Sequence, residues 1–520
     1  MYVADGAGPG ARVSENNGNA PGDFCVEDGS RRGKPLAVAT EALTPNRTIT
    51  APRPAPMEQR LFGRIADDVR RERRVRRRAP LPEGSTAFSW SHTRAIIADP
   101  LTLLLEHERR FGPVFTIRLL HEPVVWAIGA EANHQILVSE FDAFQWREGR
   151  FADLWPLLGD GLLNSDGPYH REFRMLMLPA FHREYIERVA ETMVEEAVAA
   201  AERLQDGQVV EMYRWVRELA MRIALRGLLG LDATGGRERA LAAAFEASLA
   251  IHGEPVLMQM LPVPRGPLRR AIAARHALDA LVRAEIDERR RRGDPGKGVL
   301  GLLLAATDDA GAPIPAGVVR DQAVTLLFAG HDTTTTTFTF LAYELGQNPA
   351  ARGAVEQELE HAVDRGRGPA PAQLDGQALP VLERALKETL RCYPAAWVGP
   401  RRTTRDVTLA GVAVPGEIGV HYSSWVTHHL PQLYPDPFRF DPDRFLPERE
   451  AALPRGAYIP FGGGSRMCLG KRFGEYELRA LASVLFTRVR FEPCSDTPPR
   501  IVTTPTLGPK GGLRFVVRGR

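Results

Sequence analysis

The sequence predicts a mainly α-helical domain with a small β-sheet at one side, and three patterns predict it. Two alternating apolar stretches, Val114–Leu119 and Pro123–Ile128, read as strands joined by a turn at His121–Glu122. From about Ala130 to Arg391 an Ala/Leu/Glu/Arg-rich text repeats its apolar residues at helical spacing. Short strands return after Pro400, and a last helix is expected from Leu469 to Arg488, with Glu475, Glu477 and Arg479 on its outer face.

Composition narrows the class of protein. The 520 residues are 44% hydrophobic and 25% charged, with a net charge of +3. That is ordinary for a globular enzyme and too little positive charge to argue for nucleic acid. The chain shows no internal repeat. The four cysteines, Cys25, Cys392, Cys468 and Cys494, lie far apart. No disulfide framework or Cys-x-x-Cys metal site is expected, and a reducing, cytoplasmic setting is. No apolar run approaches the roughly 18 residues of a transmembrane segment, and the polar, Gly-rich N-terminus does not read as a secretory signal.

The elements follow in chain order. Residues 1–80, rich in Gly, Pro and Ala, read as a disordered extension, with Met57 a second candidate start. The run Arg70–Arg78 that closes the extension reads as a solvated, flexible tract, with contact to an anionic surface or nucleic acid as the lesser alternative. Residues 81–520 read as one domain. Asp166-Gly-Pro-Tyr-His170-Arg-Glu-Phe-Arg174 opens a helix with Pro168 in its first turn. His170 and Arg174 lie one turn apart there and together can bind an anion. Further helices are expected at Glu184–Leu204, Leu268–Arg292 and Val318–Leu345.

The last of these helices contains Ala329-Gly330-His331-Asp332-Thr333, followed by Thr334 to Thr337. Gly costs about 1 kcal/mol relative to Ala in a helix, and Thr and Asp are weak formers. Such rule-breaking inside an apolar helix points to a functional site. Gly330 lets a ligand approach the backbone, Thr333 can divert its hydroxyl from the preceding carbonyl, and Asp332 can relay a proton inward. For Thr335, Thr336 and Thr337 a polar face bonded to its neighbours is the better reading. Glu388 and Arg391 are three apart on an apolar helix, a pairing that alone is weak.

The most specific segment is Phe461-Gly-Gly-Gly-Ser-Arg-Met-Cys468-Leu-Gly470. A cysteine at a helix N-terminus meets free N–H groups and the positive end of the helix dipole, both of which favour thiolate. Glycines let the backbone pass close beneath a flat ligand. Arg466 can fork onto a carboxylate at that ligand's edge. This set suits haem held by an axial cysteine. A phosphate-binding loop fails here, since five residues separate Gly464 from Gly470 and Lys471 is followed by Arg472. A dinucleotide fingerprint fails at Met467. A merely structural cysteine leaves the Gly and Arg pattern unexplained.

Phe461, Gly464, Arg466, Cys468 and Gly470 together resemble the haem-binding loop of the cytochrome P450 family, and the resemblance runs from about Pro80 to the C-terminus. It implies the cytochrome P450 fold, haem b and Cys468 as the iron ligand. Ala-Gly-x-Asp-Thr resembles the family's acid–alcohol pair, which makes Asp332 and Thr333 the proton-handling residues; His331 fills a variable position and receives no role. Glu388 and Arg391 resemble the Glu-x-x-Arg pair, with Arg444 of Asp441–Phe445 as third partner in a buried network; Asp443 stands where glutamate is common. His170, Arg174 and Arg401 match propionate-binding positions, with Arg402 the competing choice and His428 a further candidate.

The resemblance implies a monooxygenase that inserts one atom of O₂ into a hydrophobic small molecule, such as a fatty acid, terpenoid or polyketide. The chain has no flavin or nicotinamide module, so electrons are expected from a ferredoxin or flavodoxin with its reductase. That donor would dock on a face carrying Arg466, Lys471 and Arg472. The rival readings are a haem-thiolate peroxygenase or isomerase and a non-enzymatic haem sensor. Pocket positions implied by the resemblance are Phe328, Ala329, Thr333, Trp155–Leu163, Val256–Leu261, Ala396–Val398 and Thr506–Leu507, the last in a turn between two strands.

Overall fold

In the computed structural model the described residues are 61–520, apart from 150–154, 232–235, 254–262, 264, 309–310 and 504–505. The expectations for residues 1–60, Cys25 and the stretch Val256–Leu261 lie outside the described residues.

Two buried helices organise the core. The long helix Ala316–Gln347 carries apolar residues around its whole circumference, and nearly every side chain from Val319 to Leu345 is buried. A helix of that kind belongs in a protein interior. The helix Lys471–Arg488 packs against it and against the helix Arg183–Ala201. Phe338, Leu341, Met193, Leu481 and Leu485 belong to the resulting core cluster. Burying side chains of this size contributes roughly 1.5–3 kcal/mol each.

The outer-face placement of Glu477 and Arg479 does not hold. From Phe473 onward the helix Lys471–Arg488 has protein nearly all round, and these residues are 1% and 4% exposed. Arg479 is compensated by Glu383 at 2.7 Å and by the Leu374 carbonyl. Glu477 accepts the Thr334 hydroxyl at 2.9 Å. Glu475 remains half-buried.

The main sheet has six strands in the spatial order Gly84–Ser85, Val114–Leu119, Glu122–Ala127, Gly419–Tyr422, Gly399–Thr403 and Phe144–Gln145. In its hairpin Val114 faces Ala127 and Leu119 faces Glu122. The turn is therefore Leu120–His121, one residue earlier than the alternation suggests, with Leu120 at φ 53°. The face bearing Phe115 and Ile117 packs onto Leu103, Leu104 and Trp425.

The arginine run is not a flexible tract. Residues Leu61–Arg78 form a helix. Val75 is 1% exposed, Glu72 accepts from Arg76 and Arg118, Arg74 pairs with Glu417 at 2.6 Å, and Arg78 pairs with Asp406 at 3.1 Å. Three acids interleaved among the arginines supply partners at helical spacing. One apolar side chain and several ion pairs then dock the helix on the sheet.

Candidate active site

The Cys468 loop is a closed turn. Cys468 N–H donates to Phe461 O at 2.9 Å, Gly462 N–H to Ile459 O at 3.0 Å, and Met467 N–H to Gly464 O at 3.1 Å. Gly464 has φ +60°, and a Cβ there would lie 2.0 Å from the Leu137 carbonyl oxygen. Packing on the π-helical turn Gln135–Ser139 thus requires this glycine, a different reason from clearance beneath a ligand. Gly470 caps the helix Lys471–Arg488, two residues beyond the expected start, and the Lys471 ammonium lies 5.7 Å from the Phe461 ring centre.

Cys468 keeps accessible surface, yet protein around its sulfur desolvates it. Both are true of an atom lining an internal opening. Burial raises the thiol pKa, while the Gly470 N–H and the charge of Arg174 work to lower it. The helix terminus acts as expected but does not outweigh burial; a cation bound at the sulfur would favour the thiolate. Among the described residues no group of three His, Cys, Asp or Glu can hold a metal ion.

Around this loop lies positive charge with little compensation. His170 is buried, and burial, then the charges of Arg466 and Arg174, drive its pKa down to about 3. Burial also lowers the pKa of Arg174, against the influence of Cys468. Arg401 is 2% exposed, stacks 3.2 Å from the centre of the Trp146 ring, and among the described residues bonds to Pro400 O and Tyr422 Oη. No described carboxylate pairs with Arg174 or Arg401. Arg466 donates to Ser165 O and to the Asp166 carboxylate, and burial brings its pKa down to about 10. One acid against three guanidiniums is a site built for an added anion.

The neighbouring arginine, by contrast, is compensated. Arg402 pairs with Glu122 at 3.0 Å and bonds the Glu148 and Glu417 carbonyls. His428 is occupied elsewhere: its Nε2 accepts from Ile459 N–H, which leaves Nδ1 to donate to Arg391 O at 3.2 Å. It does not join the cationic group. Arg466 points inward as well, leaving Lys471 and Arg472 as the exposed cations of the expected docking face.

On the long helix, Ala329 is exposed and Gly330 and Thr333 are half-buried within an otherwise buried stretch. These three mark the part of the helix that borders an opening. Thr333 Oγ1 donates to Ala329 O at 2.8 Å, leaving its lone pairs available as acceptors. The hydroxyl bonds back to its own helix, which stays unbroken there, so the diversion expected from sequence is not seen. Thr335, Thr336 and Thr337 bond to His331 O, Leu507 O and Thr333 O, as a polar face would. Asp332 is 1% exposed and lies 3.2 Å from Arg217 Nε and 3.1 Å from His331 Nδ1.

Sequence reasoning missed part of this group. His331 is fully buried with Glu246 3.0 Å from Nε2. Burial opposes its charge, but the two carboxylates raise its pKa overall. Nothing in the sequence links Arg217, Glu246 and His331, which come from three helices. Trp146 and Asp166 were equally illegible. Asp166 accepts from the backbone N–H groups of Trp146 and Arg147 as well as from Arg466.

The structure brings Glu388, Arg391 and Arg444 together. Arg391 grips Glu388 with two bonds of 2.7 and 2.8 Å, and both side chains are 0% exposed. Its remaining nitrogen, Nη1, donates to both the His428 and Pro437 carbonyls, at 2.8 Å each. Arg444 lies 3.4 Å from Glu388 and bonds Asp436 O. Burial works against both charges: it raises the pKa of Glu388 despite the Arg391 bonds, while Glu388 raises that of Arg391. Of the expected pocket positions, Ala396 is exposed, Val398 and Thr506 are partly buried, and Phe328 and Leu507 are buried.

A lone cysteine and an under-compensated cationic group fit haem with its two carboxylates. The chain matches the family model described as Cytochrome P450 over residues 90–513. It is 35% identical over 374 residues to the cyclooctatin synthase of Streptomyces melanosporofaciens, covering 70% of this chain and 80% of that protein. It is 32% identical over 420 residues to cyclooctat-9-en-7-ol 5-monooxygenase of the same organism, covering 78% and 88%. Among solved structures it resembles a retinoic-acid-bound cyanobacterial CYP120A1, with a TM-score of 0.75 and 29% identity, covering 85% of this chain and 99% of that one. The lone-cysteine loop, the mainly helical fold and a family match across most of the chain agree: this protein belongs to the cytochrome P450 family and is a haem-dependent monooxygenase.

Proposed function

We propose that this chain oxidises a terpenoid-like small molecule in the cytoplasm, with haem b as cofactor and electrons from a ferredoxin or flavodoxin with its reductase. The observation that carries the reading is the accessible Ala329–Gly330–Thr333 edge in a buried helix, with the buried acid Asp332 beside it. The terpenoid class is favoured over fatty acids and polyketides by the relative named for cyclooctat-9-en-7-ol, a cyclic unsaturated alcohol. The mainly apolar set Phe328, Ala329, Ala396, Val398 and Leu507 supports a hydrophobic ligand.

In this reading Cys468 ligates the iron, and His170, Arg174, Arg401 and Arg466 hold the haem carboxylates. Phe461, Gly464 and Gly470 shape the loop. When bound, the haem supplies O₂ activation, which thiolate ligation promotes. The protein's part is to hold a proton at Thr333 Oγ1 and resupply it through the Asp332 carboxylate. Glu388, Arg391 and Arg444 keep the segment under the loop in place.

Three measurements test this reading. The reduced, carbon-monoxide-treated protein should show the red-shifted Soret band of thiolate ligation, and Cys468→Ala should abolish it; a variant that keeps the band would refute the ligand. Turnover with a surrogate ferredoxin and reductase should yield one product per pair of electrons. Peroxide-only turnover would instead favour a peroxygenase. A spectral titration should show cyclic terpene alcohols perturbing the Soret band more strongly than fatty acids of equal carbon number.

A further inference from the structure

The surface around Arg118 combines features that the monooxygenase reading leaves unused. The arginine helix Leu61–Arg78 carries eight arginines and three acids. Arg70, Arg73, Arg74 and Arg77 follow the i, i+3, i+4, i+7 spacing and share one exposed face. Arg70 and Arg74 have carboxylate partners, whereas Arg73 and Arg77 pair with no described residue. A few residues on, Phe88 is 52% exposed, Trp90 66% and Ile97 61%. Trp90, Arg94 and Ile97 lie on one face of the helix Trp90–Ala98. The tip of the first hairpin adds Leu120, 37% exposed.

One guanidinium ties these pieces together. Arg118 donates to Thr86 O at 2.7 Å just before Phe88, to His121 O at 2.9 Å at the hairpin tip, and to Glu72 on the arginine helix. His121 also contacts Asp68 of that helix at 2.9 Å. The apolar side chains therefore emerge from two short turns and a small helix, next to a stripe of surplus positive charge. Monomeric proteins expose single apolar residues freely, but a Trp, a Phe and two aliphatics beside uncompensated arginines form a pattern.

We propose that this face docks the protein onto an anionic phospholipid surface, with Phe88, Trp90, Ile97 and Leu120 entering the headgroup layer and Arg73 and Arg77 meeting lipid phosphates. Protruding aromatic and aliphatic tips suit a deformable bilayer interface, where Trp sits with its ring apolar and its N–H wet. Arginine on the flanking helix supplies the long-range attraction to negative lipid. Nucleic acid would use the arginines but has no place for Ile97 and Leu120. The docking is peripheral: no helix among the described residues is long and apolar enough to cross a membrane.

The test is co-sedimentation of the full-length holoprotein with phosphatidylcholine vesicles, with and without phosphatidylglycerol, across a range of salt. The expected result is binding to phosphatidylglycerol vesicles that weakens as salt rises. R73E/R77E should weaken it by at least roughly 25-fold, at about fivefold for each arginine removed and more for the repulsion each glutamate adds. W90S/I97S should weaken it at every salt concentration. Both variants should keep their haem content and carbon-monoxide spectrum, since neither pair touches the core. Absence of binding to phosphatidylglycerol vesicles by the parent protein overturns the proposal. So does binding that R73E/R77E abolishes while W90S/I97S leaves it intact, since that describes a general anion-binding face for an acidic protein or nucleic acid. Binding unchanged in both variants overturns it as well, placing the contact elsewhere on the chain.

Discussion

Thr333 and Asp332 are consecutive, yet their side chains meet different surroundings. Thr333 borders the opening, while Asp332 is buried beside Arg217 and His331. A proton held at the hydroxyl and a proton resupplied by the acid are separable jobs, and two variants should separate them. Thr333→Ala should retain haem and substrate binding and continue to consume reductant, but release much of it as hydrogen peroxide. Asp332→Asn should chiefly slow turnover, by roughly 10²–10⁴-fold if it is the proton source. Product formed per reductant consumed, measured in both, decides between the roles. Unchanged coupling in the first and unchanged rate in the second would sink the proton reading. Glu477 supplies a second residue-scale case. Burial pushes its carboxyl up to about 8, against the Thr334 hydroxyl bond that lowers it. Its folded pKa lies above the ordinary carboxylate value, so between about 4.5 and 8 the folded state binds more protons than the unfolded one. Stability from this group is full below that window and is lost as pH rises through it. Glu477→Gln should therefore gain stability over the parent as pH goes from 5 to 8, on the order of a few kcal/mol. Denaturant unfolding at the two pH values reads the difference, and a gap that shrinks with pH would contradict it.

The helix Pro380–Cys392 shows how one element carries a network that sequence spacing only hints at. Its apolar side, Leu382, Leu386 and Leu390, is legible as a buried stripe. The spacing of Glu388 and Arg391 says only that they can meet. The cost of parting them depends on burial, which the fold sets. Both are fully buried, Arg391 takes two carbonyls from distant loops, and Asp441 N–H donates to Glu388 at 2.9 Å. Removing one partner leaves the other charged and dry. Glu388→Ala should cost roughly 3–5 kcal/mol and yield protein poor in haem. Expression yield and the ratio of haem to protein absorbance give the answer, with normal values for both reducing the pair to an ordinary surface bridge. The long helix was legible for the opposite reason. Its apolar residues continue around the whole circumference, so neither length nor burial was in doubt, and only its ends moved by two residues where Pro315 and Asn348 flank it.

At the scale of the molecule, what could be read from sequence were local patterns: the apolar periods, the cysteine loop, and the acid–hydroxyl break in the long helix. What could not were contacts made by chain segments hundreds of residues apart, such as Arg401 over Trp146 or Arg466 onto Asp166. Charge was misread twice for one physical reason. Glu477 and Arg479 were assigned to solvent, and the arginine run to a flexible tail, because a charged side chain seen alone looks solvated. Each is held by partners that only the fold supplies. The arginine helix moves the start of the packed molecule to before residue 81. A chain beginning at residue 80 loses the burial of Val75, worth roughly 1.5–3 kcal/mol. It also leaves the Arg118 guanidinium, only 14% exposed, without Glu72, a further loss of about 1–3 kcal/mol. A chain beginning at residue 61 keeps both contacts. The two should fold and take up haem alike, since every residue proposed above to hold haem lies after residue 81, but the shorter one should unfold at a distinctly lower temperature. Charge reversal of Glu72 to Lys in the longer chain should reproduce most of that drop. Equal unfolding temperatures for the two chains would mean that the helix Leu61–Arg78 rests on the sheet without stabilising it.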